Sequence, residues 1–337
     1  MARKIIQFFK RYWVFILLAA IVGGLIMLRL SQRGQPPSLP RPISKPSLTK
    51  PKITGIKIPF GPNLDLADFY FPSQLKIFQG QESKISSDKA VKIAQEFNFS
   101  QPPQKSEDVF LGTFYAWSSD THFLSIALDS SKIDYGLNLY QAEPPTQEAL
   151  PSRETIKTTL ENLLARLDLT PDFEFKWQKE EYLVQDHYFS PTSIPEEADF
   201  IKVGFSPILG QNQLVSLNPT EPLVSLTLGK GGEIIRFQYQ VYFSSFEGQE
   251  TYTLKTKEEV QKSLTKEGKI VYAGTLQKTT KEPKITRASF DQIRLAYFQE
   301  PEKTSVIQPI FILSGRGILA EGEETEIISY LPAISSE

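Results

Sequence analysis

An uncharged apolar run near the N-terminus is the feature that most restricts what this chain can fold into. Residues 12–28, YWVFILLAAIVGGLIML, form 17 residues without a charge, close to the shortest stretch that spans a bilayer as a helix. Arg29 follows the run and can reach the membrane surface, while Tyr12 and Trp13 stand where interfacial aromatics belong. The sequence therefore predicts a transmembrane anchor over 12–30, with these residues in the membrane: Tyr12, Trp13, Val14, Phe15, Ile16, Leu17, Leu18, Ile21, Val22, Leu25, Ile26 and Leu28.

The flanks of this run indicate its processing and its orientation. A cleaved signal peptide is the alternative, but this run is longer than a usual signal core, and Arg29 and Arg33 follow it directly. Residues 1–11 carry four basic residues. By the positive-inside tendency we expect 1–11 to be a cytoplasmic tail, the chain to be a single-pass protein of the cell membrane, and its folded body to be extracytoplasmic. The bilayer is one expected partner.

The charges are divided unevenly between the two ends of the chain. Of the 37 Lys and Arg residues, ten lie in 1–52, which has no acidic residue, so 27 stand against 39 acidic residues in 53–337. The resulting net charge of −12 on the body argues against nucleic acid as a partner. The chain has no Cys, which excludes disulfides, a thiol nucleophile and cysteine-ligated metals.

The body begins after a linker and contains a first α+β unit. Residues 31–52 are rich in Pro, Ser and Lys, a composition typical of a semi-rigid spacer. Ser86-Ser87-Asp88 then precedes a short helical pattern. Strand-like runs follow at 109–117, 122–128 and 135–140, so we expect this unit to occupy 53–147.

A second α+β unit is expected over 148–337. Ser152 precedes a helical pattern, and residues 229–232 supply the glycines for a hairpin turn within 223–243. Thr256 and Glu259 have the spacing of a capping box. The remaining predicted strands are 173–177, 181–185, 270–276, 289–298, 306–313 and 326–331. The predicted fold class is α+β: an N-terminal transmembrane helix, then two tandem helix-plus-antiparallel-sheet units.

The order of these elements resembles a known family. A capped helix, the hairpin SLTLGKGGEIIRFQY, a second capped helix TKEEVQKSL and the strands RLAYF and IQPIFIL are similar to PepSY-type domains. With an uncleaved anchor, they resemble the YycH/YycI class of envelope proteins that regulate a two-component sensor kinase. The resemblance covers the anchor and 150–333, and 84–145 loosely. It implies a non-enzymatic regulator outside the membrane and assigns no functional residue.

Candidate catalytic and ligand-binding residues are few. Asp120 is near His122 and Asp186 adjoins His187, but neither pair has a metal-ligand or catalytic spacing. The glycines of 229–232 precede a strand, so they predict a turn and not a phosphate loop. We therefore predict no catalytic, cofactor-binding or metal-binding residue and no cofactor.

Carboxylates and aromatic residues offer weaker candidates. The acidic clusters are interpreted as solvated turns, with binding of a cation or a basic surface as the alternative: Glu180, Glu181, Glu196, Glu197, Glu321, Glu323, Glu324 and Glu326. Aromatic residues at strand ends and in loops are interpreted as core or as anchors of an interface: Phe69, Tyr70, Phe71, Trp117, Trp177, Tyr188 and Phe189.

These observations predict a regulatory protein of the cell envelope that is not an enzyme. It would bind and modulate a protein partner, such as a membrane sensor kinase or a peptidase. Two alternatives stay open: an envelope glycan hydrolase that uses paired carboxylates, and a structural module that binds wall polymer through exposed aromatics.

Overall fold

Strands make up most of the folded chain. The computed structural model describes residues 48–65, 69–108, 112–137, 149–185, 189–274, 283–300 and 305–335. By their contacts, Lys50–Glu337 form one compact unit and Met1–Thr49 a second, of which only residues 48 and 49 are described.

The described residues form eighteen strands, three α-helices and one short 3₁₀ helix. The strands are β1 Ile56–Lys57, β2 Asn63–Leu64, β3 Gln74–Glu82, β4 Gln104–Asp108, β5 Gly112–Ser118, β6 His122–Ala127, β7 Lys132–Leu137, β8 Phe175–Gln185, β9 Phe189–Thr192, β10 Phe200–Leu209, β11 Asn212–Val215, β12 Val224–Gly229, β13 Ile234–Tyr239, β14 Phe243–Thr253, β15 Lys269–Ala273, β16 Ile285–Phe298, β17 Val306–Leu319 and β18 Glu324–Pro332. The α-helices are α1 Ser87–Glu96, α2 Arg153–Arg166 and α3 Lys257–Glu267, and the 3₁₀ helix is Pro195–Glu197.

Nine strands form an antiparallel part of the sheet, called here the nine-strand part. Their order is β4-β5-β6-β7-β13-β12-β10-β8-β9. Helices α1 and α2 pack on one face, where their buried apolar residues join those of the strands in the largest core. The opposite face carries paired polar groups such as Arg236 and Asp134, whose side chains are 3.2 Å apart. One face of this part is therefore apolar and the other polar, as in a sheet with one solvated side.

The remaining strands complete one mixed sheet. Strands β1-β15-β18-β17-β16 are antiparallel neighbours, and β2 and β11 lie parallel to β16 on its outer edge. This C-terminal part joins the nine-strand part through β10, whose last two residues pair with β11. Strand β3 lies between β14 and the start of β17. Helix α3 packs on the C-terminal part through Val260 and Leu264.

The predicted helix starts are confirmed, because each depends on a local cap. The Ser86 and Ser152 hydroxyls accept hydrogen bonds from the backbone N–H groups of Lys89 and Thr155, both at 3.2 Å. Thr256 and Glu259 form the complete capping box of α3. Such caps satisfy N–H groups that the first helical turn leaves unpaired.

The predicted glycine hairpin is also confirmed. Strands β12 and β13 pair directly, and Gly232 in their turn has a φ of 81°. Glycine adopts this left-handed conformation without the steric cost that a Cβ brings.

The predicted fold class of two tandem helix-plus-sheet units is wrong. The strands of both halves lie in one mixed sheet of eighteen strands with only three described α-helices. The two halves join because β7 pairs with β13, placing Ile133 opposite Tyr239. The sheet-dominated arrangement also contradicts the description as PepSY-like. The domain boundary expected near 147 falls in 138–148, outside the described residues, and stays a prediction.

The predicted membrane location is corrected as well. No helix in the described part of the chain is long and apolar enough to cross a bilayer, and the longest, α2, has 14 residues. The anchor predicted over 12–30 lies outside the described residues, as do the tail 1–11 and most of the linker. The single-pass, extracytoplasmic location is therefore withdrawn.

Candidate functional site

A groove lies between helix α2 and the first half of strand β8. Its volume is about 660 Å³. The residues that line it are Lys157, Leu160, Glu161, Leu164, Thr170, Pro171, Phe173, Glu174, Phe175, Lys176, Trp177 and Phe205. We call it the α2–β8 groove.

The periodicities of the two elements explain the apolar base of this groove. Along α2, Leu160 and Leu164 lie one turn apart and are buried against the sheet. Along β8, Phe175 and Trp177 point to the same face because side chains alternate in a strand. Both aromatic side chains are half-buried and pack against the largest core. Each therefore leaves part of its ring available in the groove.

A β-bulge controls which residues of β8 face the helices. Trp177 pairs with Phe205 and Lys179 with Gly204, so Gln178 is an extra residue on β8. The extra residue shifts the alternation, and Glu180 consequently lies on the same face as Trp177. One row of the strand thus combines aromatic rings with a carboxylate.

Arg153 links the aromatic and acidic members of this row. Its guanidinium carbon lies 5.3 Å from the centre of the Trp177 ring, and its Nη2 lies 2.8 Å from Oε2 of Glu180. The Tyr182 hydroxyl donates to the other Glu180 oxygen at 3.1 Å. Burial raises the pKa of Tyr182, and the hydrogen bond and negative charge of Glu180 raise it further. Because Arg153 is largely exposed, its contribution is to orient the row more than to stabilise the fold.

The groove is bordered by an open edge of the sheet. Strand β9 covers only residues 182–185 of β8, ending with Tyr182 opposite Thr192. No described strand pairs with that side of residues 175–181. The groove therefore lies beside backbone groups that other described strands do not use.

A second, polar cleft lies on the opposite face of β8. Its volume is about 490 Å³, and its lining includes Lys179, Glu181 and Lys202. Lys179 and Lys202 lie 2.5 and 3.6 Å from Glu181. Burial alone would raise the pKa of Glu181, but the hydrogen bonds and positive charges of the two lysines outweigh it and lower the pKa. A glycosidase general acid needs a raised pKa, so Glu181 is better suited to a fixed charge.

The structure describes one of the two predicted histidines, His122. His122 begins β6, where its Nδ1 lies 2.6 Å from the Thr121 hydroxyl and its ring stacks on Tyr135; burial lowers its pKa. His187 lies outside the described residues. Among the residues that the structure describes, no group of three or more His, Cys, Asp or Glu side chains is arranged to hold a metal ion.

The predicted aromatic residues have different environments. Trp117 is buried and donates its indole N–H to the Gln101 carbonyl oxygen, and Phe69 and Phe71 pack on Phe311. Phe189 contacts Phe200 at 5.1 Å between ring centres. Tyr70 is exposed, and Tyr188 lies outside the described residues. Of the aromatic candidates that the structure describes, Trp177 is the one that lines the groove.

The acidic candidates are spread over several elements. Glu180 and Glu181 lie on opposite faces of β8, and Glu196 and Glu197 are exposed in the 3₁₀ helix. Glu324 and Glu326 lie in β18, where Glu324 pairs with Arg316 at 3.3 Å. Glu321 and Glu323 are exposed in the turn before β18.

Sequence reasoning missed Arg153, Phe173 and Phe175 as groove residues. The alternation in FEFKW was the available signal for the two phenylalanines. The order of the sheet, in which no described strand pairs with the outer side of residues 175–181, could not be predicted from that pattern.

Neither the protein-family models nor the curated proteins compared with this chain give a match. The resemblance to the YycH/YycI class therefore stays a prediction.

Proposed function

We propose that this chain is a regulatory protein that binds another protein at the α2–β8 groove and thereby changes that partner's activity. The observation that carries the proposal is the position of half-buried Phe175 and Trp177 in an open groove, beside a stretch of the β8 edge that no described strand pairs with. The action is steric and conformational, without a catalytic step by this chain.

The residues of the groove have the character of interface anchors. Aromatic and arginine side chains supply most of the binding energy in protein interfaces when they are surrounded by residues that exclude water. Here Trp177 packs edge-on against Phe205, with ring centres 5.4 Å apart, and the guanidinium group of Arg153 lies over the Trp177 ring. The ring is therefore held in place before a partner arrives, which reduces the entropy lost on binding.

The charges at the rim favour a polypeptide with mixed polarity. Lys157 and Glu161 are exposed on α2, with their charged groups 3.8 Å apart. An exposed pair at this spacing stabilises a helix by only about 0.3–0.5 kcal/mol. Both side chains can consequently exchange their mutual contact for contacts with a partner at little cost.

Site-specific photo-crosslinking tests this function. A benzophenone amino acid replaces Lys157 at the rim of the groove, and a matched chain carries it at Lys92, an exposed residue of α1. Both chains are irradiated in cells that naturally produce the protein, and the adducts are identified by mass spectrometry. We expect one stoichiometric protein adduct from position 157, absent from position 92.

A third chain, which combines the crosslinker at position 157 with Trp177→Ala, checks that the adduct depends on the groove. We expect the adduct to fall at least tenfold, while circular dichroism and urea unfolding show a folded chain. Identical adducts from positions 157 and 92, or no protein adduct from either, would remove the proposed function. A glycan occupant would give crosslinked carbohydrate in place of a protein adduct, and would also remove it.

A further inference from the structure

The outer edge of β8 has the backbone geometry of a sheet that accepts another strand. On one side, residues 175–181 pair with β10, from Phe175 opposite Pro207 to Glu181 opposite Lys202. In an antiparallel ladder, alternate residues direct their N–H and C=O groups to opposite sides. About half of these groups in 175–181 therefore point away from β10, and no described strand meets them.

The bulge at Gln178 limits how long a regular added ladder can be. Before the bulge, Phe175, Lys176 and Trp177 pair without interruption with β10. A bulge bends its strand and disrupts the ladder. A strand added at this edge can thus form a regular ladder with only three residues of β8, 175–177.

The side chains of these three residues specify the added strand. Phe175 and Trp177 point into the groove, so the residues facing them are expected to be apolar, and aromatic side chains pair favourably with β-branched ones. Lys176 borders the groove, but its side chain points to the opposite face because side chains alternate along β8, and it is exposed. In the part of the chain that the structure describes, Lys176 has no ion-pair partner, so an acidic residue opposite it adds a favourable cross-strand pair.

We propose that the edge formed by residues 175–177 binds an extended segment of a partner protein as an added β-strand, with an apolar–acidic–apolar core. The apolar residues enter the α2–β8 groove, and the acidic residue lies beside Lys176. This inference rests on the proposed function and adds the chemistry of the partner. The backbone of the partner segment forms the hydrogen bonds to the edge of β8. Its two apolar side chains and its acidic side chain determine which partner sequences bind.

Fluorescence polarisation with synthetic peptides tests the strand addition directly. The probe is a fluorescein-labelled Ser-Thr-Val-Glu-Val-Thr-Ser peptide, titrated with the full chain at 50 and 150 mM salt. Two matched peptides carry backbone N-methyl groups, one at the glutamate and the other at both valines. Because alternate amides point toward the edge, we expect one methylation pattern to weaken binding more than tenfold and the other less than threefold.

A charge exchange tests the acidic position. A peptide with Lys in place of its Glu is expected to bind the native chain about threefold to tenfold more weakly. The Lys176→Glu chain is expected to reverse this order, so that it prefers the lysine peptide. This reversal is a result that unfolding of the variant cannot produce.

The outcomes separate this inference from the proposed function. Equal binding of all the methylated peptides, equal loss with both patterns, or no saturable binding of the probe would overturn the strand addition. If a groove-dependent protein adduct is nevertheless found at position 157, the proposed function stands without it. Peptide binding without such an adduct would support the edge as a strand acceptor and remove the regulatory partner.

Discussion

Replacing Lys255 by Met should destabilise the chain by about 3 kcal/mol. Lys255 is only 3% exposed. Its Nζ donates to the carbonyl oxygens of Pro332 and Ile334 at 2.6 and 3.0 Å, and it lies 3.1 Å from Oε2 of Glu267. The side chain therefore fastens the C-terminal segment to the start of α3.

The magnitude follows from the partners that would be left behind. Removing one member of a buried ion pair typically costs about 3–5 kcal/mol, and an unpaired buried carbonyl costs about 1–3 kcal/mol. Glu267 keeps a second partner, because Lys50 lies 2.7 Å from its other oxygen. Most of the loss therefore comes from the Pro332 and Ile334 carbonyls. Only the hydrogen bond to Pro332 is fully buried, so we take about 1–3 kcal/mol for that carbonyl and about 1 kcal/mol for the other, which gives about 2–4 kcal/mol, centred on 3.

Urea unfolding of the full chain measures this effect. At an m value of about 3 kcal/mol/M, the expected loss lowers the midpoint by about 1 M with m unchanged. The matched control is Lys262→Met, which removes the same charge from an exposed position of α3, where surface substitutions stay within about 0.5 kcal/mol. Equal midpoints for the two variants would refute the reasoning that the Lys255 contacts stabilise the C-terminal segment.

Two further predictions concern packing and pH. Gly315→Ala directs a Cβ at the backbone carbonyl oxygen of Ser289, so we expect urea unfolding to show a loss of about 1–3 kcal/mol in the free energy of unfolding. The control is Gly248→Ala, whose added Cβ would make only ordinary van der Waals contacts. A similar loss in this control would contradict the prediction. Burial alone would raise the pKa of Glu267, but the hydrogen bond from Lys50 and the positive charges of Lys50 and Lys255 lower it below the ordinary value of 4.5. The stability that Glu267 contributes is therefore complete above about pH 4.5 and is lost as the pH falls through the folded-state pKa. Below pH 4.5, the free energy of unfolding should consequently decrease less steeply in Glu267→Gln than in the native chain. Parallel curves of unfolding free energy against pH for the two chains would exclude the effect.

Locally determined elements were predictable from the sequence. The caps at Ser86, Ser152 and Thr256 identify helix starts because the bonding groups are within three residues of each other. The β12–β13 hairpin was predictable for the same reason, since its glycines and its two alternating arms adjoin in sequence.

The arrangement of the sheet was not predictable in this way. The pairing of Ile133 with Tyr239 joins two predicted units, and no local pattern encodes a contact over that distance. The same limit applies to the candidate site. Trp177 was recognisable as an aromatic near a strand end, but the open edge beside it depends on which strands fail to pair there. The two predicted strands 173–177 and 181–185 are parts of one strand, β8, which begins at Phe175 and continues through the bulge at Gln178 to Gln185.

The placement of β3 in the sheet has a consequence for how the chain is made. Phe78 lies beside Gly248 on one side and Ile307 on the other, so both neighbours of this strand are synthesised long after it. Closing such long loops is entropically costly and slow. During synthesis, the backbone groups at both edges of β3 have neither of these strand partners until β14 and β17 have emerged from the ribosome. The growing chain is then open to aggregation for most of its synthesis, and its yield in the cell should depend on chaperones that bind nascent chains.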